Sequence, residues 1–318
     1  MEKLEEPRSV SSLKRFSISG VIIAFLAIVP LLTDRTDLIT WFIFTLLYVT
    51  LSQSWNLIGG YAGQQNLGHA AFFGIGGVIA RYLWLYGIPL PLALLAGAAG
   101  AVIFALIIGF PAFRLKGVYF IIGTLVLAEI LQILFYTVLP RANVLPSKMI
   151  GVYNLAARYY LSLVIAVIAV AVVYRISVSK LGMGLMAVRE DEDAAEAAGV
   201  DTLKYKLTAF LISTFFAGLA GGVFAYYSIA VQAGYMFSAL WTFDAVIIVF
   251  VGGVGTIIGP IIGAVFFVLL KQVLSLYLPG GSHIMVFGIL FILVVLFLPG
   301  GLIGTIQRFR DKRPGGVM

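Results

Sequence analysis

Few side chains here have the type and spacing to do chemistry. Glu129 falls in the middle of the long apolar run 117–139. Asp244 falls near the outer end of the shorter run 240–252, within reach of interfacial water, so Glu129 is the better placed of the two. A carboxylate in hydrocarbon is costly and faces a cavity or a partner, so each is a candidate for a transport pathway or for a structural bond between helices. Two isolated acids do not make a proton relay. His69 and His283 are distant in sequence and the chain has no cysteine, so no metal site, disulfide or thiolate chemistry is expected, and no cofactor. The sequence lacks a GxxxxGK[ST] phosphate loop, which excludes ATP hydrolysis by that device. No set of nucleophile and base is clustered as an enzyme needs.

The polar amides do cluster. Gln53, Asn56, Gln64, Gln65 and Asn66, then His69, are interleaved with Gly59, Gly60, Gly63 and Gly68. Irregular backbone at membrane depth survives only when buried in protein or lining a wet cavity. Gly60 and Gly63 permit such a break, and Gly74, Gly76 and Gly77 permit close helix packing. Two readings stand together: a broken segment that lines or gates a pathway, and a tight turn with packing glycines. A second glycine-rich turn, Gly252, Gly253, Gly255, Gly259 and Pro260, also joins two apolar runs. The likeness supports either a parallel internal repeat or two unrelated turns of similar composition.

The one long polar stretch is 179–205. Within it, Arg189, Glu190, Asp191, Glu192 and Asp193 precede Ala194, Ala195, Glu196, Ala197, Ala198 and Gly199. Acidic residues suit a helix N-terminus, alanine the interior, and glycine the stop. A surface helix of about two to three turns is expected. Its small side chains leave a low-relief face for a docking partner, although a solvated helix without a partner fits the same residues.

These groups need a scaffold, and composition names it. Of 318 residues, 61% are hydrophobic and 11% charged, with a mean hydropathy of +1.07. A soluble domain carries roughly 25% charge, so the solvent for this chain is lipid. An all-α polytopic membrane protein is expected. Runs at 17–32, 38–58, 91–110, 117–139, 159–178, 206–228, 257–275 and 283–299 are long enough to span. The shorter runs 70–88 and 240–252 raise about eight spans to about ten. The net charge of +7 sits at the ends of these runs, so it orients the chain and does not form a nucleic-acid surface. With ten spans, most Lys and Arg fall on one side, which puts both termini in the cytoplasm. The division is then 1–16 as a cytoplasmic tail, 17–303 as the membrane domain with 179–205 as its cytoplasmic loop, and 304–318 as a basic tail. The outer segment 140–158 reads as an irregular connection.

Four stretches carry a resemblance: Asn56 to Gly77; Arg114 to Leu127 with Glu129; Arg189 to Leu207; and Val251 to Ala264. In these the chain resembles the permease subunits of branched-chain amino acid ABC importers of the LivM/LivH type, nearest the LivM-like branch. One departure stands out. Such permeases carry a Thr-Gly-Gly-x-x-Gly-like stretch in an outer loop, where this chain reads Arg141 to Gly151.

The resemblance implies a transport subunit that is not itself an enzyme, in the inner or plasma membrane of a prokaryote. It implies a second, homologous permease as heterodimer partner, two cytoplasmic ATPase subunits, and a periplasmic or surface solute-binding protein. Residues 195–199 would be the ATPase-coupling helix, flanked by Arg189, Glu190 and Asp191. The substrate would be a branched-chain or other small amino acid moved by alternating access. Urea and short amides are carried by similar permeases. An autonomous secondary transporter or channel is the rival from another class.

Overall fold

The computed structural model describes residues 8–33, 35–139, 143–277 and 300–305, with single positions 286, 288, 289 and 292. His283, Arg141, most of the run 283–299, the first seven residues and those after 305 lie outside the described residues. Thirteen helices are described: α1 Arg8–Leu32, α2 Thr36–Trp55, α3 His69–Leu85, α4 Leu90–Ala112, α5 Val118–Val138, α6 Ser147–Gly151, α7 Leu155–Ser177, α8 Lys180–Glu190, α9 Glu192–Ala197, α10 Thr202–Tyr227, α11 Ala233–Met236, α12 Leu240–Gly252 and α13 Ile258–Tyr277. Seven helical stretches are long and apolar enough to cross a membrane, and Gly20–Leu32 and His69–Leu85 are shorter apolar helices. The chain is an all-α multi-pass membrane protein.

The short run at 240–252 gains length from what precedes it. α11 and α12 together form the 20-residue stretch Ala233–Gly252. Sequence alone undervalued this span because Gly234 and Ser238 interrupt the apolar pattern ahead of it.

The core is a triplet of α3, α4 and α10, with α2 beside α10 and α7. Small residues set the spacing. A Cβ on Gly76 of α3 would lie 2.3 Å from the Cα of Gly218 in α10, and one on Gly221 would lie 1.9 Å from the Phe73 carbonyl oxygen. Backbones this close gain dispersion contacts that larger side chains would prevent. α2 is buried on all sides from Leu46 to Trp55, so its polar residues cannot face water. Thr50 and Ser54 instead return their hydroxyls to the carbonyls of Leu46 and Leu51. α5 lies at the margin, with most of its side chains exposed.

The two ends of the bundle differ. One end carries α8, α9 and the glycine-rich turns, and is called here the loop end. The other carries a two-stranded antiparallel sheet, β1 Asn143–Val144 paired with β2 Ala230–Val231, and is called the sheet end. Of the expected irregular connection 140–158, residues 140–142 lie outside the described residues, and the rest includes β1, α6 and the first turn of α7. Two buried arginines bond to this region. Arg81 donates five hydrogen bonds: to the carbonyls of Ala225, Ser228, Ile229 and Asn143, and to the Asn143 side-chain oxygen. These include orphan carbonyls at the C-terminus of α10, which no backbone donor can reach. Arg158 donates to the carbonyls of Tyr226 and Asn154 and lies 3.6 Å from the Tyr153 ring centroid and 4.3 Å from that of Tyr226. Burial pushes the Tyr153 phenol above its usual range, and the Arg158 cation over its ring opposes this.

Candidate functional site

The amide cluster folds as a break. After Trp55 the chain widens into a π-helical turn, Asn56–Tyr61, a form that appears mostly as single turns at functional sites. Residues 62–68 are non-helical, and α3 starts at His69. The side chains around the break supply what the backbone has lost. Trp55 Nε1 donates to the Asn66 carbonyl at 2.7 Å, and the Asn66 side-chain oxygen accepts from Gly68 N at 2.8 Å. Thr124 of α5 accepts from Leu67 N, and Thr242 of α12 accepts from Ala70 N in the first turn of α3. Neither threonine is marked by a local sequence signal, because each acts across more than fifty residues.

The second glycine-rich turn lies directly against the break. The Asn56 side chain donates to the Thr256 carbonyl at 2.8 Å and accepts from Gly255 N at 2.9 Å, so its amide pairs with the turn as a strand neighbour would. Gln53 donates to the Ile257 carbonyl at 2.6 Å. The turn is tight because Gly252 meets Gly259: a Cβ on Gly252 would lie 1.9 Å from the Gly259 carbonyl oxygen. Thr256 accepts from Gly259 N and so caps the start of α13, just ahead of Pro260.

His69 is buried against Ser54, with Nε2 2.8 Å from the hydroxyl. That hydroxyl already donates its hydrogen to the Leu51 carbonyl at 2.7 Å. It can only accept from the ring, so Nε2 carries the proton and Nδ1 is bare. Among the described residues, His69 Nδ1, Asn66 Nδ2 and Gln53 Oε1 are buried polar atoms without a protein partner. All three belong to the break or its approach. Gln64 is half-buried, while Gly63 and Gln65 are exposed.

The polar loop differs from the single helix expected of it. Glu190 ends α8, and Asp191 leaves the helix at φ −157° and caps α9 by accepting from Ala194 N at 2.9 Å. The expected surface helix is thus six residues long, Glu192–Ala197, rather than two to three turns. Aspartate competes with helix by capping, and here the cap wins. Gly199 closes α9 at φ +86°, with Val200 N bonding back to the Ala195 carbonyl. Ala195 faces inward, whereas Asp193, Ala194, Glu196, Ala197, Ala198 and Gly199 are exposed. The ammonium of Lys206, a residue buried in α10, lies 2.5 Å from the Glu192 carboxylate. Arg189, within the loop and exposed overall, reaches back to the break, where its Nη1 donates to the Gly60 carbonyl at 2.7 Å.

The two intramembrane acids part company. Asp244 accepts from Tyr48 at 2.7 Å and from Lys271 at 3.0 Å, joining α2, α12 and α13 near the sheet end. Opposite charges on consecutive runs were the sequence signal for this pair. Glu129 instead lies exposed on α5, between the exposed apolar residues Val126, Ile130 and Ile133. The structure therefore brings Gln53, Asn56, Gly60, Gly63, Asn66, His69, Gly252, Gly255 and Arg189 together at the loop end and leaves Glu129 and Asp244 apart from them. Among the described residues no three His, Cys, Asp or Glu side chains gather as a metal site.

Known proteins give this arrangement a family. The family described as "Branched-chain amino acid transport system / permease component" matches residues 37–295. The chain is 29% identical over 300 residues to the "High-affinity branched-chain amino acid transport system permease protein LivM" of Salmonella typhimurium, covering 81% of this chain and 68% of that protein. It is 29% identical over 301 residues to the protein of the same name from Escherichia coli, with the same coverage. It is 26% identical over 313 residues to the "Probable branched-chain amino acid transport permease protein LivM" of Methanocaldococcus jannaschii, covering 81% and 90%. No solved structure gives a significant match. With the family match spanning both glycine-rich turns, α5 and the polar loop, this chain belongs to the branched-chain amino acid ABC transporter permease family.

Proposed function

We propose that this chain is the membrane-spanning subunit of a prokaryotic inner- or plasma-membrane importer for branched-chain or other small amino acids. Cytoplasmic ATPase partners drive it by alternating access. The carrying observation is α9: a six-residue helix with an exposed alanine face, held at the loop end by Lys206–Glu192. A chain with no phosphate loop of its own needs such a face to receive work from elsewhere.

The proposed topology has ten crossings, both termini cytoplasmic, and 17–303 as the membrane domain. Gly301 lies against Gly253 at the loop end, whereas α13 runs toward the sheet end, which supports a further crossing. The contact between the two glycine-rich turns supports the parallel repeat. The α5 face around Glu129 is proposed to meet a second permease across the substrate path. A carboxylate on a lipid-facing surface costs about 2.5–3.5 kcal/mol or more, and water or protein on that face removes the penalty. A solute-binding protein would dock at the sheet end, around α6 and β1.

The test is purification of the complete assembly with leucine as probe solute. Glu196→Arg and Gly199→Val are expected to release the ATPases and abolish uptake while the chain still inserts in the membrane. Ion-driven uptake by the chain reconstituted alone would overturn the importer reading in favour of a secondary transporter. Transport of urea but not leucine by the intact assembly would move the substrate class to short amides.

A further inference from the structure

We propose that Arg189 is the positioning residue that links the docking loop to the broken segment, so that movement of α9 reshapes the break. This rests on the importer reading above. Arg189 lies in the last turn of α8, two residues before the Asp191 cap that begins α9. One non-helical residue separates the two helices, so a displacement of α9 is carried to the end of α8.

The side chain touches both glycine-rich turns. Its Nη1 donates to the Gly60 carbonyl at 2.7 Å, in the π-helical turn. Its stem covers Gly63, where an added Cβ would lie 3.0 Å from Arg189 Cγ and 3.3 Å from its Cα. Gly63 has φ +71°, so the backbone there also favours glycine. The same Nη1 sits over Gly255, where an added Cβ would lie 2.6 Å away. Gly255 is the residue whose N–H pairs with Asn56. One guanidinium therefore bonds the break and lies close against the turn that braces it.

The chemistry fits the task. The last carbonyls of a helical turn lack partners within it and need a donor from elsewhere. Arginine reaches them on a long stem and fixes direction with a planar donor set, whereas lysine brings a rotating point charge. The second tether of the loop, Glu192 to Lys206, runs to α10 and not to the break. Besides the exposed Asp193–Lys116 pair at 3.9 Å, motion of α9 can thus pass to a span through Lys206 and to the break through Arg189.

The experiment uses the assembled transporter carrying R189A, R189M or R189K. R189M keeps the stem over Gly63 and removes the donor. Both R189A and R189M are expected to retain the ATPases and to hydrolyse ATP within about twofold of wild type. Leucine uptake is expected to fall about tenfold, inside the ~5–150-fold range that coupling between sites spans, with R189K in between. A single cysteine at Gln65 reports on the break, since the chain has none of its own. Its labelling by a water-soluble maleimide is expected to differ between nucleotide-free and vanadate-trapped assemblies, and R189M is expected to erase that difference. Wild-type uptake in R189M, or a retained nucleotide dependence, overturns the proposal. Release of the ATPases by R189M also overturns it, by making Arg189 a docking contact. Loss of the protein in both R189A and R189M overturns it by making Arg189 a structural pin. If the wild-type chain retains no ATPase, the importer reading itself has failed, a result distinct from all of these.

Discussion

The sheet end and the loop end of this bundle solve the same problem in opposite ways. Each must satisfy the free carbonyls and N–H groups where helices stop. At the sheet end Arg81 places all five of its donors on oxygens, and Arg158 stacks between Tyr153 and Tyr226. At the loop end, glycines leave room, the side chains of Asn56, Gln53 and Arg189 do the joining with one or two bonds each, and among the described residues three buried polar atoms near the break have no protein partner. On the importer reading, the sheet end is expected to hold one shape and the loop end to be the part that moves.

The sharpest way to break this contrast is R81M. It removes five hydrogen bonds at once, and of the four carbonyls Ile229 keeps the Leu145 N–H as a donor. Hydrogen bonds to charged groups contribute about 1.5–3 kcal/mol each, and stranded buried acceptors add to the loss. A destabilisation of about 3–5 kcal/mol is expected, read as a large fall in the unfolding midpoint of the detergent-solubilised protein. An unchanged midpoint would mean that the sheet end is not the rigid one.

Next in size is a pair of glycine substitutions, one at each end. A Cβ on Gly60 would lie 2.0 Å from Asn56 Oδ1 and 2.8 Å from Gly255 N, whereas one on Gly151 meets nothing within 4 Å. Overpacking of this kind costs about 1–3 kcal/mol. G60A is expected to abolish uptake with only a moderate fall in stability, and G151A to change neither. Equal effects of the two would erase the distinction between the ends.

Smaller again is the Asp244–Lys271 pair, which leaves Lys271 partly exposed. D244N and K271M are each expected to cost about 1–2 kcal/mol, and the double variant less than their sum, because neither charge is then left alone. A double-mutant cycle in thermal unfolding checks this. Strict additivity would mean that the two groups do not support one another in the folded protein.

Part of this division was legible in sequence. The apolar runs announced the spans, because lipid demands about 20 such residues whatever the fold. The amides and glycines at 53–69 announced a break, because few other settings tolerate them together. The partners of those residues were not legible. Thr124, Thr242 and Arg189 reach the break from remote segments, and no periodicity encodes a contact across the bundle. Arg81 and Arg158 read as topology signals near outer span ends, and nothing local distinguishes an arginine facing water from one saturated by carbonyls. The surface helix in the polar loop was legible but drawn too long, since Asp191 is as much at home in a first turn as at the cap that precedes it.

That cap yields the smallest effect and the finest test of the comparison. D191A removes the acceptor for Ala194 N at an exposed site. Loss of such a cap costs about 1 kcal/mol of local helix stability, too little to unfold a bundle held by the α3, α4 and α10 core. The unfolding midpoint is therefore expected to stay within a degree or so of wild type. Uptake is expected to fall several-fold all the same, because α9 is only six residues long and Asp191 is the joint that relates it to α8. The same energy removed at the sheet end, by R158K, should lower the midpoint slightly and leave uptake intact. Lysine there keeps the charge but not the planar stack on Tyr153 and Tyr226. Two changes of equal size, one read in transport and the other in stability, would place the moving parts at the loop end. If both appear only in stability, α9 is a passive surface helix and the loop end is as rigid as the other.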